Sequence, residues 1–156
     1  MPTSKLEMEK AICDAIIDTF ENITIYDTEN FEALEKAKDQ MLQQSYIDSL
    51  NRRLSMEETR KIQNEIKLTF LANEYETFLA ALGNNPEAMS IIDAITLKIT
   101  GTRYYSCFCD LGLTLNPEFK MDSKTFFANY KIAKKKVGIL EGKIELQRSN
   151  ERGSLL

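Results

Sequence analysis

Two cysteines, Cys107 and Cys109, come closest in this sequence to a chemical motif. On a β-strand both thiols would point to one face, where they could bind a metal ion or act as a redox pair. On an α-helix they would diverge by about 200° around the axis. We expect a structural role for both, because a free cysteine most often packs as a small hydrophobic residue.

The sequence contains no histidine, which removes much of the usual chemistry at neutral pH. The common general base is missing, as are the Ser-His and Cys-His nucleophile pairs. The absence of histidine also excludes two kinds of metal site. These are the zinc sites that use histidine ligands and the di-iron carboxylate sites that require Glu-x-x-His motifs. Three cysteines cannot supply the four thiolates of an all-cysteine zinc site. We therefore predict a protein that is not an enzyme, with no catalytic residue, cofactor or metal site.

The many carboxylates form no pair that indicates acid–base catalysis. Glu74 and Glu76 are expected to be solvated or to cap helices, as are Glu57 and Glu58. Asp93 lies among apolar residues, but the helical period points its side chain outward.

The charge of the chain is divided unevenly. Residues 1–100 hold 10 basic and 18 acidic side chains, a net charge of −8, and residues 101–156 hold 10 basic and 6 acidic ones, a net charge of +4. A basic surface on the last predicted helix comprises Lys124, Lys131, Lys134, Lys135, Lys136 and Lys143. Such a surface could contact phosphate or an acidic partner, although nucleic-acid-binding domains usually carry a basic excess overall. A solvated face and pairing with the acidic N-terminal region are the simpler interpretations.

Several predicted helices carry more apolar residues than one core face needs. In the aromatic pairs Tyr104-Tyr105 and Phe126-Phe127, helical spacing favours core positions, and one member of each pair should point away from the core. The surplus apolar residues form the predicted partner-binding set: Met41, Tyr46, Ile47, Leu68, Phe127 and Ile139.

The clearest structural signals lie between Ser55 and Gly101. Ser55-Met56-Glu57-Glu58 matches a capping box, and apolar residues then recur at helical spacing up to residue 82. Gly83 is the expected left-handed residue that ends this helix. Asn85-Pro86-Glu87 predicts the next helix start, with Asn85 as the N-cap, and Gly101 its end.

Helical patterns also cover residues 5–20, residues 29–54 and the stretch after Ser123, which is the expected cap of the last helix. Residues 102–111 fit a helix or a strand, and we expect a helix because no second strand is evident to pair with. Residues 23–26 alternate like a short strand, with a connecting loop as the alternative. Residues 112–122 are expected to be a loop with a turn at Asn116-Pro117.

Together these elements predict an all-α protein, a single-domain bundle of five or six helices. It is built on a long antiparallel helical hairpin, residues 29–54 and 56–82. One domain over residues 1–148 and a flexible tail over residues 149–156 are expected from the length of 156 residues and the polar C-terminus. The sequence has neither an apolar run long enough to cross a bilayer nor a secretory signal, so we predict a cytoplasmic protein without membrane insertion.

Incomplete apolar faces and a divided charge are typical of a non-enzymatic interaction module: an adaptor, an assembly chaperone or a regulatory subunit of a larger complex. The predicted partner is another protein or a second copy of the chain. The alternative is a nucleic-acid-binding small subunit that uses residues 124–148 of the basic C-terminal helix.

Overall fold

A computed structural model describes residues 4–23, 28–83 and 85–154. No β-strand occurs in these ranges, so the predicted all-α fold is confirmed. Residues 102–111 contain a helix, as expected. Of the alternating stretch 23–26, Ile23 is the last residue of a helix, and residues 24–26 lie outside the described residues. The helices are α1 (Lys5–Ile23), α2 (Thr28–Arg52), α3 (Met56–Gly83), α4 (Ala88–Thr100), α5 (Tyr104–Asp110) and α6 (Ser123–Ser154).

The chain divides into two compact units. The first comprises Met1–Ile23 and Asn85–Leu156, with α1, α4, α5 and α6, and the second comprises Thr24–Asn84, with α2 and α3. The prediction of one domain over residues 1–148 therefore stays a prediction. So does the flexibility of residues 149–156, although α6 itself continues to Ser154.

Helix α1 is the centre of the first unit, where it packs against α4, α5 and α6. Its Phe20 ring stacks on Tyr130 of α6 with 3.6 Å between the ring centroids. The rings of Phe126 and Phe127 lie 6.4 and 6.3 Å from Phe20. Because aromatic side chains bury large areas, this cluster is the main contact that joins α1 to α6.

The loop between α5 and α6 is held by the side chains of two asparagines. Asn116 Oδ1 accepts hydrogen bonds from the backbone N–H groups of Glu118 and Lys120, at 3.1 and 3.0 Å. Asn129, fully buried in α6, donates from Nδ2 to the Thr114 carbonyl at 2.8 Å and accepts from the Thr114 N–H at 3.0 Å. The predicted loop with its turn at Asn116-Pro117 is therefore confirmed, and it is tied to α6.

The hairpin of α2 and α3 matches its predicted boundaries to within two residues, which is the usual uncertainty of a helix end. The turn begins at Arg53, which has a left-handed φ of 54°. At the start of α3 the Glu58 N–H donates to Ser55 Oγ at 3.2 Å, and the Thr59 N–H donates to the Ser55 carbonyl. Ser55 is therefore the cap that the sequence predicts.

Two other helix ends differ from the prediction. Gly83 is the last residue of α3, and its φ lies outside the left-handed region. Helix α4 has Glu87 rather than Asn85 as its N-cap, since a tight turn precedes it in which the Ala88 N–H donates to the Asn85 carbonyl. Regular helical bonding then starts at Glu87, whose carbonyl accepts from the Ile91 N–H.

Helix α6 is capped by Asp122, one residue before the predicted cap Ser123. The Thr125 N–H donates to Asp122 Oδ1 at 2.8 Å, and the Phe126 N–H donates to the Asp122 carbonyl. The hydrogen bond from the Thr125 backbone holds the pKa of the Asp122 carboxyl below its usual value. Ser123 is instead the first residue inside the helix.

The substitution Asp122→Ala is expected to lower the free energy of unfolding by about 1 kcal/mol at neutral pH, as for other lost N-caps. Because the carboxyl has a lower pKa in the folded state, its contribution is present above the unfolded-state pKa and disappears as the pH falls through the folded-state pKa. Urea unfolding of the wild type and the variant at neutral and acidic pH measures this difference. Asp122→Asn is the control, because it keeps an acceptor without titrating; a difference that does not change with pH would contradict the assignment.

Candidate protein-interaction surface

The exposed large apolar residues are concentrated on the hairpin. Of the sixteen among the described residues, nine lie on α2 and α3: Met41, Tyr46, Ile47, Leu50, Met56, Ile62, Leu68, Leu71 and Leu79. Single exposed apolar residues are normal, so it is their concentration on two adjacent helices that makes the hairpin the candidate interaction surface.

A groove runs between α2 and α3 along one side of the hairpin, which we call the groove side. Its volume is about 260 Å³, and it is lined by Met41, Gln44, Ser45, Asp48, Arg52, Leu54, Ile62 and Ile66. Small-molecule sites usually measure roughly 300–1,000 Å³. The volume of the groove lies just below this range.

The opposite side of the hairpin carries a longer apolar stripe. On α3, Leu71 and Leu68 lie about 140° and 200° around the helix axis from Ile66 of the groove. On α2, Tyr46 and Leu50 lie about 140° and 180° from Met41. We call this surface the outer stripe; it comprises Tyr46, Leu50, Leu68, Leu71 and Leu79, all of them exposed.

The contact between the two helices is unusually polar. On α2, Ser45 and Ser49 are buried, and on α3 Glu74 is 2% exposed, between the buried Phe70 and Phe78. The expectation that Glu74 is solvated is therefore wrong. Serine and glutamate side chains thus occupy buried positions of the hairpin beside two phenylalanines, while nine of its large apolar side chains stay exposed.

Ser45 lies on the floor of the groove with an unsatisfied hydroxyl. Its carbonyl accepts from Ser49 Oγ at 2.8 Å, whereas its own Oγ has no hydrogen-bond partner among the described residues. Burial of a hydroxyl without a hydrogen-bond partner costs free energy, and buried hydroxyls in native proteins usually have such a partner. No feature of the sequence distinguishes Ser45 from the other polar residues in the middle of α2.

The substitution Ser45→Ala is expected to raise the free energy of unfolding of the single chain by about 1 kcal/mol, because it removes a desolvated hydroxyl and alanine is the better helix former. Thermal unfolding at a low protein concentration measures the change. Ser49→Ala is the matched control and should not stabilise the chain, since its hydroxyl is hydrogen-bonded. A loss of stability in Ser45→Ala would mean that the hydroxyl has a partner within the chain.

The six predicted partner-binding residues are not gathered in one place. Met41 lines the groove, whereas Tyr46 and Leu68 belong to the outer stripe. Ile47 is exposed on α2, and Ile139 is exposed on α6 in the other unit.

The prediction that Phe127, the sixth residue of that set, binds a partner is wrong. It is 5% exposed and packs near Phe20, so it belongs to the core. Phe126 is fully buried as well, which means that neither member of this pair points away. The reason is that α1 covers an arc of α6 wide enough to include two consecutive residues, about 100° apart. In the other aromatic pair Tyr105 is exposed, as predicted.

The predicted basic surface of α6 is dispersed around the helix. Lys124, Lys131 and Lys135 fall within about 40° of one another. Lys134, Lys136 and Lys143 lie to either side of that line. The Lys131 ammonium lies 5.4 Å from the centre of the Phe127 ring, and that of Lys134 lies 5.8 Å from the centre of the Tyr130 ring. These cation–π contacts anchor two of the lysines to the core aromatics.

The two cysteines of α5 have different surroundings. Cys107 is buried, and burial raises the pKa of its thiol, whereas Cys109 is exposed. The expected structural role is thus supported for Cys107 alone. Burial also raises the pKa of Cys13, in α1, to about 11. Within the described ranges, no three Cys, Asp or Glu side chains come together in a way that could hold a metal ion.

Comparison of the chain with protein-family models, with curated proteins and with solved structures finds no match. In the part of the chain that the structure describes, no helix combines the length and the apolar character needed to cross a membrane.

Proposed function

We propose that this protein is a non-enzymatic helical interaction module, an adaptor, assembly chaperone or regulatory subunit that acts in the cytoplasm. In this proposal the binding element is the outer stripe of the hairpin. The observation that carries the proposal is the exposure of this stripe, in which Leu50 and Leu68 are 63% and 65% exposed. Groups of exposed large apolar side chains are typical of protein–protein contact surfaces.

The spacing of the outer stripe suits an amphipathic helix as the ligand. Leu68, Leu71 and Leu79 recur near multiples of the helical turn, and this is the pattern that helix-on-helix recognition uses. Tyr46 adds a large side chain with a polar end, a residue type that is enriched at the centre of interfaces. Complete burial of one exposed leucine contributes about 1.5–3 kcal/mol, so a few such anchors are enough for a specific complex.

Affinity capture with the full chain tests the proposal. Proteins that the wild-type chain retains from an extract of its own host should be lost with Leu68→Glu, because a charge in the stripe opposes its burial. Leu97→Glu is the matched control, since Leu97 is an equally exposed leucine on α4 and should retain the same proteins. Identical retention by all three chains, or none by the wild type, would count against the outer stripe.

A second candidate function is nucleic-acid binding through α6. The observation in its favour is the line of Lys124, Lys131 and Lys135, since Lys124 and Lys135 are exposed and no acidic residue lies between these positions in the sequence. Binding through phosphates would weaken with salt by a logarithmic slope of about −0.9 for each phosphate contacted. Titration of single- and double-stranded nucleic acid against Lys131→Gln/Lys135→Gln and the wild type measures that slope. The absence of binding at low salt would end this candidate.

A further inference from the structure

We propose that the groove side of the hairpin pairs with the groove side of a second copy of this chain, so that two hairpins form a four-helix bundle. The inference rests on the proposed function, since it assigns self-association to one side of the interaction element. The outer stripe of each copy then remains free for a different protein.

The groove has two features that are expected of a surface that another protein chain covers. Half of its lining residues are apolar, Met41, Leu54, Ile62 and Ile66, and Met41 and Ile62 are exposed large side chains. Its floor contains the unsatisfied hydroxyl of Ser45. Helices laid into the groove would cover these exposed apolar side chains.

A second copy fits the groove because of the antiparallel order of α2 and α3. When a two-fold axis runs parallel to the helices between the two hairpins, α2 of each copy lies on α3 of the other and antiparallel to it. Every helix then has antiparallel neighbours, as in up-and-down four-helix bundles. Residues equally far from the turn lie at the same level, so Met41 meets Ile66 of the second copy, and Ser45 meets the region of Ile62.

The charges that flank the groove are complementary in this arrangement. In this register Arg52 lies at the level of Ser55 and within one turn of Glu58 of the second copy, and Asp48 lies within one turn of the level of Lys61. Each pair occurs twice because of the two-fold symmetry. Asp48 accepts a hydrogen bond from Gln44 within its own helix, whereas Arg52 and Lys61 form no ion pair with another described residue of their own chain. Such pairs select a partner and its register.

The size of the groove side is sufficient for a stable dimer. Helices α2 and α3 contain 25 and 28 residues. At about 1.5 Å per residue and about 10 Å in width each, two such helices present roughly 800 Å² on one side. Contact along the whole length of the hairpin, beyond the groove itself, would thus match the roughly 800 Å² per partner of a typical specific interface.

The mass of the full chain in solution, measured by sedimentation equilibrium over a wide concentration range, is the first test. We expect the mass to rise from 17.9 kDa for the single chain to twice that value. Ile62→Glu should weaken the association by at least about 100-fold, because it places an unpaired charge in the interface. Leu68→Glu is the matched control on the outer stripe and should leave the association unchanged. Circular dichroism of each variant verifies that the helices are retained.

A charge exchange between copies is the second test, and it does not depend on Ile62. Arg52→Glu and Glu58→Arg should each weaken self-association by about tenfold or more, because each puts like charges opposite one another. An equal mixture of the two variants should associate at least about tenfold more tightly than either alone, because both cross-copy pairs are then opposite in charge. A contact within one chain cannot produce this recovery by mixing.

A chain that stays monomeric at every concentration would overturn the inference. Self-association that Leu68→Glu abolishes and Ile62→Glu does not affect would overturn it too, as would a mixture that associates no better than its components. None of these results changes the outcome expected from the capture experiment with Leu68→Glu and Leu97→Glu, because that experiment tests the outer stripe. Conversely, a dimer that captures no other protein would refute the proposed function of the outer stripe and leave the groove-side dimer standing.

Discussion

Replacing Phe20 by alanine is expected to lower the free energy of unfolding by about 3–5 kcal/mol, the largest effect of any single substitution considered. Phe20 is buried and contacts three aromatic rings of α6, those of Phe126, Phe127 and Tyr130. The substitution removes the area that the phenyl ring buries and leaves a cavity between α1 and α6 that rigid neighbouring rings cannot fill. Denaturant unfolding measures the loss of free energy of unfolding. It is followed by circular dichroism at 222 nm, where α-helices give a strong negative signal.

Phe119→Ala is the matched control for this prediction. It removes the same side chain from the loop between α5 and α6, where the ring is 60% exposed. Phe119 also has a φ of 58°, in the region that large side chains rarely adopt. We expect a change within about 0.5 kcal/mol. Equal losses for the two variants would mean that the Phe20 cluster does not hold α1 against α6.

Removal of the Asn129 side chain is expected to cost about 2–4 kcal/mol. Asn129→Ala deletes both hydrogen bonds to Thr114 and leaves a small cavity next to Met121, whose sulfur contacts Asn129 Nδ2. The loop between α5 and α6 should then exchange its amide protons faster than the wild type, because its link to α6 is lost. Unfolding curves and hydrogen exchange at Thr114 measure the two effects. Asn150→Ala, an exposed asparagine of the same helix, should change stability by less than about 0.5 kcal/mol.

Asn129→Asp separates the hydrogen bonds from the volume of the side chain. At neutral pH it places a carboxylate in a fully buried position, with one oxygen facing the Thr114 carbonyl. Burial should raise the folded-state pKa of this carboxyl above its unfolded value. The penalty is therefore absent below the unfolded-state pKa of about 3.9 and grows as the pH rises above it. A variant that is equally unstable at acidic and neutral pH would contradict the role given to the amide.

The fold could be predicted from the sequence because local signals decide where helices begin and end. The capping serine Ser55 and the long apolar periods on either side of it specify the hairpin, and the prediction matches the structure to within two residues. The errors occur at the starts of α4 and α6, where more than one residue near the predicted cap can precede the first helical turn. Asp122 rather than Ser123 caps α6, and Glu87 rather than Asn85 precedes α4, because the conformation of the preceding turn selects between them.

The candidate site could be predicted only in part. Tyr46, Leu68 and Met41 are exposed as the sequence suggested, but Phe127 is not. Leu50, Leu71 and Leu79 are exposed too, although the sequence did not single them out. Helical period tells which residues share a face; it does not tell which faces another helix covers. Likewise Asn129 and Glu74 look like ordinary surface residues in the sequence, and only the packing around them makes them buried.

By itself, the sequence determined the helices, their order, the short link between α2 and α3 that favours a hairpin, and the absence of histidine. Those properties depend on propensity, capping and composition, which act over a few neighbouring residues. The tertiary structure decided which apolar residues remain exposed, that the hairpin has two different apolar sides, and that a buried serine lies unsatisfied between them. These properties depend on contacts between residues far apart in the chain, and a one-dimensional pattern does not encode which of two equivalent faces such contacts cover.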